Sequence, residues 1–414
     1  MCKPKFPPPL KLGAYISYFI WHWQAYGKAL RSVKGLVAVW PILLLTSVAL
    51  LAGQLGCSSI QEAPPLSPAS AVLPAPLYFI STDGQIWRLE RDGATLVQVT
   101  HYSAPITGFD LGRDSLIYVT SNDLFQSGLL GDNPVMLVNG PDLSSDDFED
   151  RVNVEITNPR WSGDGRIAFG LNGVNIIPSG GGEPQLLQPN DTVPTLDPSP
   201  YPQARFYRPH SWSSEGRLLT EYTTLPEGSG FMIMSFNGTL SEVNLPQIPL
   251  CCQATWEPYL GIDLYLTDDR PGQTGLYHYS ATTGATTTLL DNENSPDALV
   301  RYAQSNGNGW LYFFRGTVGE FPDELASLAM YRLRHSGKDQ EMLRSDSYTI
   351  GEALWDLSEH GGAVIVESTT PGLVSPVRGP LVWLPIDGSP AATLPAEGHH
   401  LRWGSEIDVP ITKP

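Results

Sequence analysis

Six histidine and arginine residues are spread widely along the chain, and each lies at or just before a segment of one recurring type. They are His101, Arg160, His210, Arg301, His399 and His400. Imidazole rings can hydrogen-bond a polar ligand or hold a divalent cation, and guanidinium groups favour carboxylates. If the segments surround a common axis, these side chains form one polar binding site. The alternative is that exposed loops simply collect polar residues, without a shared site.

The recurring segment is a Trp that enters a polar, Gly-containing turn, followed by an apolar strand. Complete copies begin at Trp161, Trp212, Trp256, Trp355 and Trp403, and weaker copies begin at Phe109 and Ala303. The spacings along this series are 52, 51, 44, 47, 52 and 48 residues. Self-similarity at such a period indicates a repeat architecture.

Each repeat has the composition of four short β-strands. Arg166–Phe169, Gly275–Ser280 and Thr286–Leu290 mix β-branched, aromatic and small residues, and Gly or Ser residues punctuate them. Four strands in about 45–50 residues is typical of a β-propeller blade. The sequence therefore predicts an all-β propeller, and a β-sandwich with coincidental Trp spacing is the alternative.

The two ends of the repeat region complement one another. Residues 77–100 contain three strand-like runs without an opening Trp strand, whereas residues 399–403 form an opening strand with no blade after it. Pairing these ends would complete a blade and leave no exposed sheet edge. We expect seven four-stranded blades closed by the N- and C-terminal strands, with six or eight as alternatives.

The turn motif carries a family resemblance. WSGDGRIAF at residues 161–169, followed by glycines at 180–182, resembles the repeats of TolB-type, WD-repeat-like propellers of the bacterial cell envelope. Gly163 stands where that pattern usually has Pro, and WSSEG at 212–216 is a looser match. The resemblance covers about residues 77–409 and implies a fold more than a ligand, because the motif residues build turns and core.

The charge distribution separates a basic N-terminus from an acidic body. Residues 1–56 contain six Lys or Arg and no Asp or Glu, whereas residues 57–414 carry a net charge of −24. An acidic body repels phosphate backbones, so nucleic acid is not expected as a partner.

The N-terminal region resembles a bacterial lipoprotein signal. A basic flank precedes an apolar segment, residues 35–56, which ends directly before Cys57. We expect lipidation of Cys57, a Pro/Ser/Ala tether over 57–76 and an envelope location outside the cytoplasmic membrane. An uncleaved membrane anchor and simple secretion are the alternatives. Residues 1–34 are too long for a usual signal flank, and initiation at Val33 would explain them.

Catalytic motifs contribute little. The chain has no G-x-S-x-G elbow, H-E-x-x-H, P-loop or EF-hand loop, and the adjacent Cys251 and Cys252 lack a ligand partner at metal-site spacing. No catalytic residue, metal ligand or cofactor is predicted, although a divalent cation is possible.

These observations predict a non-catalytic binding module. The propeller over 77–409, followed by a short tail at 410–414, would bind a protein, peptide or glycan at the channel mouth. One alternative is a metal-assisted, lyase-like carbohydrate-active enzyme that uses a ring of His residues. Another is a structural subunit of an envelope complex.

Overall fold

The structure of the chain is a computed structural model. The described ranges are 72–143, 148–191, 204–225, 229–235, 239–243, 253–258, 261–268, 275–291, 298–317, 326–358, 361–368 and 378–404. The predicted leader, Cys57, most of the tether, Cys251, Cys252 and the C-terminal tail lie outside these ranges.

Antiparallel β-strands make up nearly all of the described regular structure, as the repeat pattern predicts. Five sheets have four strands each, and we number them sheets 1 to 5. Sheet 1 contains β4 (Ile106–Leu111), β5 (Ser115–Thr120), β6 (Asp123–Gly128) and β7 (Val135–Val138). Sheet 2 contains β8 (Thr157–Trp161), β9 (Arg166–Gly170), β10 (Gly173–Pro178) and β11 (Gln185–Pro189). A short helix, α1 (Phe148–Val154), lies between these two sheets in the sequence.

The next three sheets follow the same strand order. Sheet 3 contains β12 (Ala204–Trp212), β13 (Leu218–Leu225), β14 (Ser229–Met234) and β15 (Leu240–Glu242). Sheet 4 contains β16 (Gln253–Trp256), β17 (Asp263–Asp268), β18 (Gly275–Ser280) and β19 (Thr286–Asp291). Sheet 5 contains β20 (Ala298–Ser305), β21 (Trp310–Thr317), β22 (Ser327–Arg334) and β23 (Glu341–Met342).

The sixth sheet joins both ends of the described chain, and we call it the terminal sheet. Its strand order is β24-β25-β26-β27-β1-β2-β3. The strands are β24 (Ile350–Asp356), β25 (Gly362–Glu367), β26 (Gly379–Pro385), β27 (Ala392–Trp403), β1 (Leu77–Ser81), β2 (Ile86–Leu89) and β3 (Leu96–Gln98).

The long strand β27 pairs with β26 along its first half and with β1 along its second half. Gly398 is paired with Gly379 on one side and with Ser81 on the other. A Cβ atom on Gly398 would lie 2.4 Å from the carbonyl oxygen of Ile80, so a residue without a side chain is needed where the strand changes partner. The N- and C-terminal strands therefore pair with each other, but the predicted closure of the sheets into a ring is not confirmed.

The all-β fold is confirmed, and the sheets fit a propeller. The count of seven is not confirmed, because the described residues form six sheets. The physical reason is the continuity of β27, which pairs with β26 and with β1 and so joins what the sequence pattern predicts as two blades into one sheet.

The predicted turn between the first two strands of a sheet is present in sheet 2. Gly165 has a φ of +85°, a backbone conformation that glycine adopts readily, and its N–H donates to the carbonyl oxygen of Ser162 at 3.1 Å. The Ser162 hydroxyl accepts the Arg166 N–H at 2.9 Å and so fixes the start of β9. Sheet 3 repeats this contact, since the Ser213 hydroxyl accepts the Arg217 N–H at 3.0 Å.

Consecutive sheets pack face to face through buried apolar clusters. Ile117 of sheet 1 packs with Phe169 of sheet 2, and Leu219 of sheet 3 packs with Leu264 of sheet 4. Similar clusters join sheets 2 and 3, sheets 4 and 5, sheet 5 and the terminal sheet, and the terminal sheet and sheet 1. This stacking brings the first strands of neighbouring sheets into contact at their inner edges.

Four of the recurring Trp residues connect successive repeats through their indole N–H groups, three of them between different sheets and Trp403 within the terminal sheet. Trp212 donates to Arg160 O at 3.1 Å, Trp256 to Ser211 O at 3.2 Å, Trp355 to Tyr302 O at 2.6 Å and Trp403 to Trp355 O at 2.9 Å. In each case the acceptor lies on the first strand of the preceding repeat. Trp355 is buried, whereas the other opening Trp residues are half-buried.

In the two weak copies of the repeat, strand pairing places the Trp position two residues later than the sequence pattern predicts. Trp161 pairs with Ile167, the second residue of the following strand. The corresponding pairs in sheets 1 and 5 are Leu111 with Leu116 and Ser305 with Leu311. Leu111 and Ser305 therefore occupy the Trp position, and not Phe109 and Ala303 as the sequence suggested.

Candidate functional site

Charged and imidazole side chains from several sheets meet near the inner edges of their first strands. This polar cluster comprises Asp110, Arg160, Arg208, His210, Glu221, Glu352, His400 and Arg402. All eight are half-buried, so the protein desolvates their charges while part of each residue remains accessible. The first strands β4, β8, β12, β24 and β27 carry seven of them, and β13 carries Glu221.

An ion pair connects the C-terminal strand with sheet 1. Arg402 Nε donates to Asp110 Oδ1 at 2.8 Å, and the other Asp110 oxygen accepts the Trp161 backbone N–H at 2.9 Å. One carboxylate thus contacts β27 and β8 while it lies on β4 itself. Both carboxylate oxygens of Asp110 accept hydrogen bonds. The negative charge of Asp110 compensates the positive charge of Arg402 inside the fold.

Glu352 has the same role between β24 and β27. Its two carboxylate oxygens accept the backbone N–H groups of His400 and Leu401. His400 has a φ of +58°, which is uncommon for a residue with a side chain. Burial raises the pKa of Glu352, although the two N–H donors and the nearby Arg402 oppose that shift.

Arg160 is compensated differently. Its Nε donates to the His210 carbonyl oxygen, and its Nη1 donates to the Pro159 carbonyl oxygen at 2.9 Å. No carboxylate oxygen of the described residues lies within 4 Å of its guanidinium nitrogens. Burial lowers the pKa of Arg160 to about 10, with a further contribution from Arg402, so the group remains charged at neutral pH.

Arg208 and Glu221 lie opposite each other on β12 and β13. Their charges interact, but among the described residues neither forms an ion pair within 4 Å. Burial raises the pKa of Glu221, although Arg208 and Arg160 both oppose that shift. This part of the cluster therefore has two cationic groups and one carboxyl group without close pairing.

The two central imidazoles are neutral at physiological pH. Burial, with Arg160 and Arg402 nearby, lowers the pKa of His210 to about 3. The same causes lower the pKa of His400 well below its usual range. His400 Nε2 lies 2.8 Å from the Phe109 carbonyl oxygen, a contact that requires a proton on that nitrogen.

The structure brings together Arg160, His210 and His400 among the six residues predicted from the sequence. His101 is exposed in the connection between β3 and β4. His399 is buried beside β1, where burial and Arg378 lower its pKa to about 4. Arg301 is half-buried on β20 opposite Phe314. A binding role for any of the six stays a prediction.

Sequence reasoning missed Asp110, Arg208, Glu221, Glu352 and Arg402. Asp110 and Arg402 share a signal with Arg160, because each directly precedes the Trp position once the repeats are aligned by strand pairing. Because the sequence pattern places Phe109 at the Trp position, Asp110 does not stand out as the residue directly before that position. Glu221 carries no such signal, since it lies on the second strand of its sheet.

Two kinds of feature are absent from the described residues. No group of three or more His, Cys, Asp or Glu among them is arranged to hold a metal ion. No helix within the described ranges has both the length and the apolar character that crossing a membrane requires.

Solved structures resemble this chain at low sequence identity. An oligogalacturonate lyase from Vibrio parahaemolyticus has a TM-score of 0.50 at 9% identity, covering 77% of this chain and 83% of that one. A functionally unknown protein from Desulfotomaculum acetoxidans has a TM-score of 0.50 at 10% identity, covering 80% and 99%. TolB from Acinetobacter baumannii has a TM-score of 0.39 at 12% identity, and this chain spans 63% of its length and is itself covered over 65%.

The two neighbours with a TM-score of 0.50 support a propeller-type fold and nothing further. No protein-family model and no curated protein matches the chain.

Proposed function

We propose that this protein is an extracytoplasmic, membrane-tethered propeller that binds a protein, peptide or glycan at the polar cluster. The observation that carries the proposal is the half-buried Arg160, whose guanidinium donates only to backbone carbonyl oxygens among the described residues. A desolvated charge without a carboxylate partner is costly, and binding sites retain such charges for a ligand to compensate.

The proposed architecture has seven blades, with the terminal sheet counted as two. Two observations support this count: β27 pairs with both β26 and β1, and side chains from both halves of the terminal sheet share one buried cluster. In that cluster Leu77 and Phe79 pack with Val364 and Val366, as stacked blades do. An experimental structure with six or eight blades around the axis would contradict the count.

The proposed location depends on the leader. The apolar run before Cys57 and the Pro/Ser/Ala tether after it support lipidation at that residue. In a bacterial host, mass spectrometry of the processed N-terminus should find lipid on Cys57, and Cys57→Ser should abolish it. Residues 35–56 retained in the mature protein would favour the uncleaved anchor.

Thermal unfolding of the full chain in detergent tests the binding function. Envelope extracts would be separated into protein, peptide and glycan fractions and added to wild type, Arg160→Gln and Arg91→Gln, where Arg91 is an exposed residue beyond β2. A ligand at 100 times its Kd stabilises the folded state by about 2.7 kcal/mol. We expect one fraction to stabilise wild type and Arg91→Gln but not Arg160→Gln.

Three outcomes would contradict this function. If no fraction stabilised wild type against thermal unfolding, the protein would not be a binding module for these ligands. A bound divalent cation together with cleavage of a polysaccharide would favour the lyase-like enzyme. Stoichiometric co-purification with other envelope proteins, without a separable ligand, would favour a structural subunit.

A further inference from the structure

Two arginines at the inner edges of sheets 2 and 3 form no ion pair with a carboxylate of the described residues. Arg160 lies on β8 and Arg208 lies on the adjacent first strand β12. We propose that these two guanidinium groups together bind a carboxylate group of the ligand. This inference rests on the proposed function and adds the chemical class that the polar cluster recognises.

The other charges of the polar cluster are already compensated within the fold. Arg402 is bonded to Asp110, whose second oxygen accepts a backbone N–H. Both oxygens of Glu352 accept backbone N–H groups of β27. Arg160 and Arg208 therefore remain as the cationic groups of the cluster that can accept an anionic partner without breaking a described ion pair.

Glu221 limits the charge of the ligand. Its carboxyl group interacts with both arginines at a distance beyond an ion pair, whereas the more distant Asp110 and Glu352 are largely offset by Arg402 and backbone N–H groups. A phosphate with a charge near −2 would be repelled by the Glu221 carboxyl group, whereas a singly charged carboxylate matches the two arginines better. Guanidinium groups also present paired N–H donors that fit the two oxygens of a carboxylate.

The charge of the whole protein makes this location selective. Residues 57–414 carry a net charge of −24, so most of the surface repels a carboxylate. The neutral His210 lies beside Arg160 and adds no negative charge. A carboxylate thus has a favourable environment at these arginines and an unfavourable one over the acidic body.

Small probes in matched charged and neutral pairs test the inference by titration calorimetry on the full chain in detergent. The pairs are acetate and acetamide, N-acetylglycine and N-acetylglycinamide, and galacturonate and galactose, all at constant ionic strength. We expect the charged member of at least one pair to bind and its neutral partner not to bind. A higher affinity for N-acetylglycine would indicate that a peptide terminus supplies the carboxylate. A higher affinity for galacturonate would indicate a sugar acid.

Variants connect that binding to the two arginines. Arg160→Gln and Arg208→Gln should each weaken carboxylate binding at least about tenfold, the lower limit for losing one charge-assisted hydrogen bond. Arg91→Gln should leave the affinity unchanged. Melting curves control for folding, and Arg208→Gln is a second test if Arg160→Gln is unstable, because no described side-chain hydrogen bond is lost with it.

Equal binding of charged and neutral probes, tighter binding of inorganic phosphate, or unchanged affinity in the folded Gln variants would overturn the inference. The proposed function fails separately. If an envelope fraction stabilises wild type but no carboxylate competes with it, the module binds a ligand of another class. If carboxylates bind but no envelope fraction does, the chemistry of the site stands and the proposed function does not.

Discussion

The polar cluster contains two groups of similar composition whose charges are compensated in different ways. The terminal group, Asp110, Glu352, His400 and Arg402, surrounds the C-terminal strand β27. The sheet 3 group consists of Arg208, His210 and Glu221 on β12 and β13, together with Arg160, which reaches them from β8 of sheet 2. Each group contains at least one acid, one arginine and one neutral histidine.

The difference is where the hydrogen bonds go. In the terminal group both carboxylates are saturated by backbone N–H groups and an arginine from neighbouring strands. In the sheet 3 group, no described carboxylate pairs with either arginine within 4 Å. Saturated charges stabilise strand contacts, whereas uncompensated ones cost stability and are available to a ligand. We therefore expect substitutions in the first group to affect folding and those in the second to affect binding.

The largest effect is expected at Trp355, which adjoins the terminal group. Its indole donates to Tyr302, its carbonyl accepts from Trp403, and it is only 4% exposed. Trp355→Ala should lower the free energy of unfolding by about 3–5 kcal/mol, because it leaves a cavity and an unpaired carbonyl. Urea unfolding measures the change, and Trp212→Ala is the comparison. Trp212 is half-buried beside the sheet 3 group, and an equal loss there would contradict the distinction.

Removal of the Glu352 carboxylate is expected to have the next largest effect. Glu352→Ala leaves the N–H groups of His400 and Leu401 without their acceptor, at a cost of about 2–4 kcal/mol. The exposed Glu397, on the neighbouring first strand β27, provides the control, since Glu397→Ala should be nearly neutral. The ligand affinity of Glu352→Ala, measured under conditions where the variant is fully folded, should equal that of wild type. A stable Glu352→Ala that no longer binds would place Glu352 in the binding site.

The sheet 3 group is expected to make stability depend on pH. The folded protein keeps His210 neutral with a pKa of about 3, whereas the unfolded chain binds a proton near its ordinary value of 6.5. The unfolded state therefore takes up more protons as the pH falls below 6.5, and folding weakens until about pH 3. Between pH 7 and pH 5 His210 accounts for a loss of up to about 2 kcal/mol.

His210→Gln should reduce that loss, while His101→Gln, in an exposed loop, should not. Urea unfolding at pH 7 and at pH 5 measures this loss of stability. His399 and His400 shift in the same direction, so part of the pH dependence should remain in the variant. An identical loss in wild type and His210→Gln would mean that His210 is solvated in the folded state.

The fold could be predicted from the sequence to the extent that local patterns determine it. Ser162, Gly165 and Arg166 form their turn through short-range hydrogen bonds, so the motif indicates the first two strands of a blade directly. The predicted register was wrong where another apolar residue stood near the expected Trp position. Phe109 is aromatic and buried, yet it lies two positions before the residue that pairs like Trp161.

The candidate site was only partly predictable, because compensation of charge is a long-range property. Arg160 and His210 were found from their positions before the turns. Asp110 and Glu352 looked like ordinary acidic residues, since their N–H donors lie about 50 residues away in another strand. Until strand pairing aligns the repeats, nothing in the local sequence distinguishes the saturated Asp110 from Glu221, which forms no ion pair among the described residues.

The smallest effect is expected at Glu221, and its sign separates the two groups. Burial raises the pKa of Glu221 in the folded state, so between the ordinary value of 4.5 and that raised value the folded state holds more protons than the unfolded state. Stability contributed by the protonated form is therefore present at low pH and is lost as the pH rises. Glu221→Gln keeps the shape without the charge and should stabilise the protein at pH 7. The gain should vanish below about pH 4.5, where wild-type Glu221 is protonated in both states. Urea unfolding at pH 7 and pH 4 measures both values. Destabilisation at pH 7 would mean that ionised Glu221 compensates one of the two charges of Arg160 and Arg208, and the sheet 3 group would then have only one net positive charge left for a ligand.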